Sequence, residues 1–160
     1  LMVVHALGSV MIIFAGQNWG AGQKERILQG YRIGALFSVG WGLILFVVAQ
    51  VFPREIAGVF SDDFRVVDIT AQYLGIVSFS YMFIGFLVLG ISVFNGVNKP
   101  LPATALTALR MAGLYVPLSI LGTWLWDIKG MFWAAFTANI LTGILTYILV
   151  RAFLRQNAAG

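Results

Sequence analysis

The chain has 160 residues, of which 60% are hydrophobic and only 10% are charged. With a mean hydropathy of +0.91, it has too little polar surface to cover a soluble globule, so the composition excludes soluble folds. The net charge of +4 comes from cations scattered among the loops, without the aromatic-interleaved basic face of a nucleic-acid binder. We therefore expect the lipid bilayer, and no nucleic acid, as a partner.

The sequence has no cysteine and one histidine. It therefore offers no disulfide, no thiolate metal site and no imidazole cluster, and we expect neither a metal site nor a cofactor. An enzyme at membrane depth would need a nucleophile, a metal cluster or paired acids. The apolar runs supply only scattered Ser and Thr and Arg110, so we expect no enzyme.

Apolar runs in chain order predict an all-α integral membrane protein, a polytopic helix bundle. The first run, residues 1–15, has no charged flank and is interpreted as the end of a helix that begins upstream. Each of the other four can cross a hydrocarbon core of about 30 Å at about 1.5 Å per residue. We predict complete transmembrane helices at 31–52, 69–94, 101–125 and 131–152. Residues 1–160 are thus expected to be one part of a larger bundle.

The charges of the loops predict how the bundle is oriented. Alternating sides of the membrane carry unequal numbers of cations, with Arg110 left aside. One side has Lys24, Arg26, Arg32, Lys99, Arg151 and Arg155, and the other has Arg54, Arg65 and Lys129. By the positive-inside rule, the first group and the C-terminus are cytoplasmic. We expect a multi-pass protein of the cell's inner (plasma) membrane.

Glycines and one proline are expected to end or bend the predicted helices. Residues 16–22 read Gly-Gln-Asn-Trp-Gly-Ala-Gly and are expected to stop the first helix and to turn the chain. On this basis a bulky β-branched residue at Gly20 is expected to lower the folded yield. Pro117 lies well inside its run and is expected to kink the helix and to leave a carbonyl without its helical partner.

Small residues recur every four positions and predict faces where helices pack closely in lipid. A ligand groove is the less favoured interpretation. The three stripes are Gly30, Gly34, Ser38 and Gly42; Ala134, Ala138, Thr142 and Thr146; and Thr104, Ala108 and Ala112.

These features together resemble the second half of a multidrug and toxic compound extrusion (MATE) transporter. The resemblance rests on the glycine motif with its residues Gly16, Gln17, Gly20, Ala21 and Gly22, on Arg26, on the Val51-Phe52-Pro53 to Phe60 segment with the acids after it, and on Arg110 and Pro117. It implies twelve helices in two lobes of six, with the glycine turn on the inner side, where the loop charges independently place it. Residues 1–160 would hold the end of helix eight and helices nine to twelve, and the N-terminal lobe of the same chain would be their partner.

The resemblance also implies secondary active antiport, in which entering H⁺ or Na⁺ drives export of cationic or amphipathic compounds. Two lobes would alternate access to a central cavity. Coupling needs an intramembrane carboxylate, and no complete run holds one. The NorM-type branch has an acid on helix ten at a position that corresponds to Ile84, whereas the DinF-type branch uses an aspartate in the first lobe. The chain therefore resembles the DinF-type branch more closely, with its coupling site outside residues 1–160.

Four residues are candidates for the substrate pathway: Ser80, Tyr81, Ile84 and Arg110. Ser80 and Tyr81 lie one helical turn before Ile84 and could contact substrate, but interhelical hydrogen bonding is the favoured interpretation of both. Arg110 would line the cavity, pair with an acid from a missing helix, or snorkel to the interface. Asn139 is expected to hold helices together.

Two alternatives to the antiporter remain open from the sequence. A lipid-linked saccharide flippase of related architecture would be favoured by more basic residues in the cavity. A membrane subunit that transports nothing is the other, because apolar runs alone specify insertion and not transport.

Overall fold

The structure, a computed structural model, describes residues 1–158, with side chains through Asn157. The described chain is helical, which confirms the all-α class. Its helices are α1 Met2–Gly20, α2 Lys24–Val51, α3 Pro53–Gly58, α4 Phe64–Val77, α5 Tyr81–Gly96, α6 Pro100–Ala108 and α7 Val116–Ala158. A 3₁₀ turn, Ser78–Ser80, joins α4 to α5, and a π-helical segment, Leu109–Tyr115, joins α6 to α7.

Within residues 1–158, four helical stretches are long and apolar enough to cross a membrane. The last of them, Pro100–Asn157, has 58 residues, about three times the length that one crossing needs. It reverses at Trp126 and Asp127, whose backbone angles are non-helical. On either side of this bend the backbones of Gly122 and Gly130 touch, and a Cβ on either glycine would overlap the other. The stretch therefore makes two passes joined by a tight hairpin.

The helices extend beyond the apolar runs that predicted them. α2 begins at Lys24, so the polar segment before residue 31 is part of the helix. α1 continues through Gly16 and Gln17 to Gly20, later than the glycine motif suggested. Hydrophobicity marks the part of a helix suited to hydrocarbon, whereas its ends are set by caps. At the start of α4, for example, the Asp63 carboxylate accepts a hydrogen bond from the Arg65 N–H at 2.8 Å.

Gly22 is the residue of the glycine motif that turns the chain. It has a φ of 71°, and the N–H of Gln23 donates to the Asn18 carbonyl at 2.8 Å, as in a Schellman cap. Asn98 closes α5 in the same way, with a φ of 58°. Gly20 has a helical backbone, and no heavy atom of another described residue lies within 4 Å of a Cβ built there, apart from its chain neighbours and its own helix. The expectation that a bulky Gly20 lowers folded yield is therefore not supported by packing within these residues.

We predict opposite effects of alanine at the two glycines. Gly22→Ala forces a Cβ into the left-handed region and is expected to cost about 1 kcal/mol. Gly20→Ala, the matched control, replaces a helical glycine in open space and is expected to be neutral or slightly stabilising. Thermal unfolding of the purified full-length protein measures both. Equal shifts in Tm for the two variants would contradict this account of the turn.

The core of the bundle surrounds α5, which packs against α1, α2, α6 and α7. The small-residue stripe of α2 makes one of these contacts, as predicted. A Cβ at Gly42 would lie 2.8 Å from the Met82 backbone, and Ser38 packs directly against Gly85. Because neither glycine has a side chain, α2 and α5 approach within backbone contact.

The other two stripes differ from each other. Ala134, Ala138, Thr142 and Thr146 are all buried, and Thr146 packs against Gly90 of α5, which confirms the packing interpretation. Thr104, Ala108 and Ala112 are exposed. This third stripe is therefore not buried against another helix among the described residues, so its predicted role in packing is not seen here.

Candidate functional site

A cavity of about 280 Å³ opens between α4, α5, the π-helical segment and the second limb of α7, residues 128–158. Its lining combines aromatic, aliphatic and polar groups. The lining residues are Leu1, Tyr73, Tyr81, Ile84, Arg110, Met111, Tyr115, Ala135, Ala138 and Asn139. Aromatic and apolar walls with a few converging polar groups are typical of a binding site for a small organic molecule.

A chain of hydrogen bonds fixes the polar side of this cavity. The Arg110 Nε donates to the Asn139 Oδ1 at 3.0 Å, and the Asn139 Nδ2 donates to the Ser80 Oγ at 2.9 Å. The Ser80 hydroxyl in turn donates to the Val77 carbonyl at 2.7 Å. Asn139 and Ser80 are buried, at 3% and 0% exposure, so the guanidinium is anchored to a rigid part of the core.

The π-helical segment sets the position of Arg110. Within Leu109–Tyr115 the helix is wider than an α-helix, and the N–H of Val116 donates to the Met111 carbonyl five residues back. Pro117 follows directly and has no N–H with which to continue the α-helical pattern. The irregularity predicted from Pro117 thus takes the form of a π segment before the proline, and Arg110 lies inside it.

Three of the four predicted pathway residues line the same cavity, namely Tyr81, Ile84 and Arg110. Ser80 lies behind the cavity wall and makes an interhelical hydrogen bond through Asn139. The bond from Arg110 to Asn139 points the guanidinium into the bundle, which differs from the snorkelling alternative. The glycine motif lies at the far end of α1 and forms the turn to α2.

Tyr73 and Tyr115 were not among the residues predicted from the sequence, and Asn139 was expected only to hold helices together. Tyr73 was open to detection, because it lies about two helical turns before Tyr81 in the same predicted helix, residues 69–94. Tyr115 could not be predicted, because the direction of its side chain depends on the π segment, which has no clear sequence signal.

Charge at this site is positive. Arg110 is the only charged side chain among the lining residues. The six acidic side chains of the sequence, at Glu25, Glu55, Asp62, Asp63, Asp68 and Asp127, lie in loops or near helix ends. The site can therefore hold an aromatic or amphipathic molecule and donate hydrogen bonds to it from the guanidinium.

Long apolar helices around a cavity with a few converging polar groups are those of a polytopic membrane protein. The MatE family model matches residues 1–121. The chain belongs to this family of MATE transporters, which is not a family of enzymes.

Curated relatives and solved structures agree with this assignment. The chain is 28% identical over 151 residues to a FAD transporter of Shewanella oneidensis and 24% identical over 153 residues to the probable multidrug resistance protein YoeA of Bacillus subtilis. Each alignment covers 94% of this chain and 33% of the relative, so the chain spans about one third of the length of these relatives.

The fold matches the Vibrio cholerae MATE transporter VcmN in its bent form, with a TM-score of 0.83 and 28% identity. This match covers 97% of the chain and 39% of VcmN. An aspartate-to-asparagine mutant of VcmN matches with a TM-score of 0.84.

Proposed function

We propose that the transporter containing this chain is a secondary active antiporter that exports amphipathic organic compounds in exchange for H⁺ or Na⁺. In this proposal the two lobes alternate access to a shared cavity, and residues 1–160 supply one wall of it. The observation that carries the proposal is the cavity of Tyr81, Ile84 and Arg110, which combines aromatic and aliphatic walls with one anchored cation.

The coupling ion is proposed to bind outside this chain. H⁺ or Na⁺ exchange at membrane depth requires a carboxylate, and Ile84 occupies the position where the NorM-type resemblance would place one. No cluster of three or more metal-ligating side chains occurs in the described part of the chain. The DinF-type arrangement, with its acid in the N-terminal lobe, remains our prediction.

The substrate class depends on the charge of Arg110. A cationic compound, the class that the family resemblance implies, would need a carboxylate from the other lobe to offset the guanidinium. An anionic aromatic compound would be bound directly, because arginine pairs with phosphate and carboxylate through charge-assisted hydrogen bonds. The similarity to a FAD transporter makes a flavin dinucleotide the second candidate substrate. A flippase for lipid-linked saccharides is less favoured, because only one basic side chain lines the cavity.

Transport by the reconstituted full-length protein tests these proposals. Efflux of a cationic dye and of FAD would be followed with an imposed pH or Na⁺ gradient. We expect Tyr81→Ala and Ile84→Ala to change substrate preference more than they change dependence on the gradient. Efflux that continues unchanged when both gradients are abolished would contradict antiport.

The charge of Arg110 separates the two substrate classes. Arg110→Gln removes a charged donor worth about 1.5–3 kcal/mol, so export of an anionic substrate is expected to fall about 10- to 100-fold in kcat/KM. Export of a cation is expected to be unchanged or improved. Arg110→Lys keeps the charge and is the matched control. Equal losses for both substrates would show that Arg110 supports the fold and not selectivity.

A further inference from the structure

A second site is formed where the predicted cytoplasmic ends of α2 and α7 lie side by side. A groove of about 470 Å³ runs between them and is lined by Lys24, Glu25, Leu28, Gln29, Arg32, Leu154 and Arg155. Three of these side chains are cationic and one is acidic. This groove is separate from the Arg110 cavity and has no residue in common with it.

The cations follow one face of each helix. Lys24, Leu28 and Arg32 are spaced four residues apart on α2, and Arg151 and Arg155 are spaced likewise on α7, so each set forms a row. The rows face each other because the two helices are antiparallel neighbours: the Lys24 ammonium donates to the Asn157 backbone carbonyl. Cations from two helices thus converge on one groove.

Glu25 also lines the groove, but no salt bridge to these cations is found in the part of the chain that the structure describes. The salt bridge found there joins Arg54 and Asp68 at the other end of the bundle. The Nε of Arg151 is buried and has no hydrogen-bond partner among the described residues. Arg151 lies one turn before Arg155 and does not itself line the groove. Cations that converge without a salt bridge are unfavourable unless an anion binds between them.

The surroundings of the groove indicate what kind of anion would fit. Its apolar floor is formed by Leu28 and the buried Leu154. One turn beyond Arg32, on the same face of α2, Leu36 is 72% exposed, which suits contact with an acyl chain. Cations at the headgroup level with exposed leucine deeper in the membrane match the two ends of a phospholipid.

We propose that this groove binds the headgroup of an anionic phospholipid. Lys24, Arg32 and Arg155 contact its phosphate, and an acyl chain lies along Leu36. The proposal uses the predicted cytoplasmic orientation of this end and does not depend on which substrate is transported.

Lipid titration of the purified full-length protein tests the proposal. Phosphatidylglycerol, phosphatidylcholine and inorganic phosphate would each be added, with bound lipid counted by native mass spectrometry and Tm followed in parallel. Arg32→Gln with Arg155→Gln is expected to weaken phosphatidylglycerol binding about 30-fold, because each cation contributes about fivefold. Phosphatidylcholine is expected to bind weakly to every variant.

Two control variants make the result decisive. Arg65→Gln with Lys129→Gln removes the same charge at the opposite end of the bundle and should leave binding unchanged. Arg32→Lys with Arg155→Lys keeps the charge and should retain most of the phosphatidylglycerol binding. The proposal is overturned if both double glutamine variants lose phosphatidylglycerol binding equally, or if phosphatidylcholine binds as tightly as phosphatidylglycerol. It is also overturned if inorganic phosphate alone reproduces the shift in Tm.

Discussion

Gly96→Val is expected to abolish most of the folded yield of this transporter. Gly96 is the last residue of α5 and lies against α1. A Cβ at this position would overlap the Ile12 carbonyl oxygen, and it would lie 2.9 Å from the Ala15 Cβ and 3.2 Å from the Gly16 N. Because two of these atoms belong to a helix backbone, they cannot rotate away. We expect a cost of about 3 kcal/mol, a large share of a typical stability.

The measurement is the monodisperse yield and the Tm of the purified full-length protein. Gly40→Val is the matched control, because Gly40 lies within α2 and no atom of another described helix is within 4 Å of a Cβ built there. It makes the same substitution inside a helix without a clash. A wild-type Tm for Gly96→Val, or an equal loss for Gly40→Val, would refute the steric explanation.

Asn139→Leu is expected to weaken both stability and transport. The amide of Asn139 is the link between Arg110 and Ser80, and leucine of similar size removes both hydrogen bonds. Hydrogen bonds within membranes average about 0.6 kcal/mol, but one made to a charged group is worth about 1.5–3 kcal/mol. We therefore expect a loss of about 2 kcal/mol, together with a raised KM because the guanidinium is no longer held.

Thr142→Val is the control for this change. Thr142 lies one turn further along α7 and is fully buried, but its hydroxyl donates to the Ala138 carbonyl of its own helix. Its loss should leave KM unchanged. Unfolding and transport assays on the two variants separate a role in positioning Arg110 from general packing. If both variants raise KM equally, Asn139 has no special role in positioning.

Some properties of this protein follow directly from the order of its residues. Apolar runs without carboxylates specify membrane helices, because charged side chains are costly in hydrocarbon. The small-residue stripes of α2 and α7 indicate tight packing because spacing by four keeps residues on one helical face. Tyr81 and Ile84 are three residues apart and therefore also fall on one helical face, and both line the cavity.

Helix ends and backbone irregularities were harder to foresee. The glycine motif predicts a turn, yet only backbone geometry shows that Gly22 has the positive φ and that Gly16 lies inside α1. A π segment before Pro117 and a hairpin at Trp126 and Asp127 depend on how neighbouring helices pack. The hairpin occurs where two glycines, Gly122 and Gly130, let their backbones touch.

The sequence by itself determined that this chain belongs in a bilayer, which runs are apolar enough to cross it and that these runs hold no carboxylate, because these properties depend only on residue type and spacing. Tertiary structure decided which distant residues meet. It joined Arg110 to Asn139 across 29 positions and Asn139 to Ser80 across 59. It also brought the cations of α2 and α7 to one groove. Helical periodicity fixes the face on which a residue lies, but the partner of that face is chosen by packing between helices.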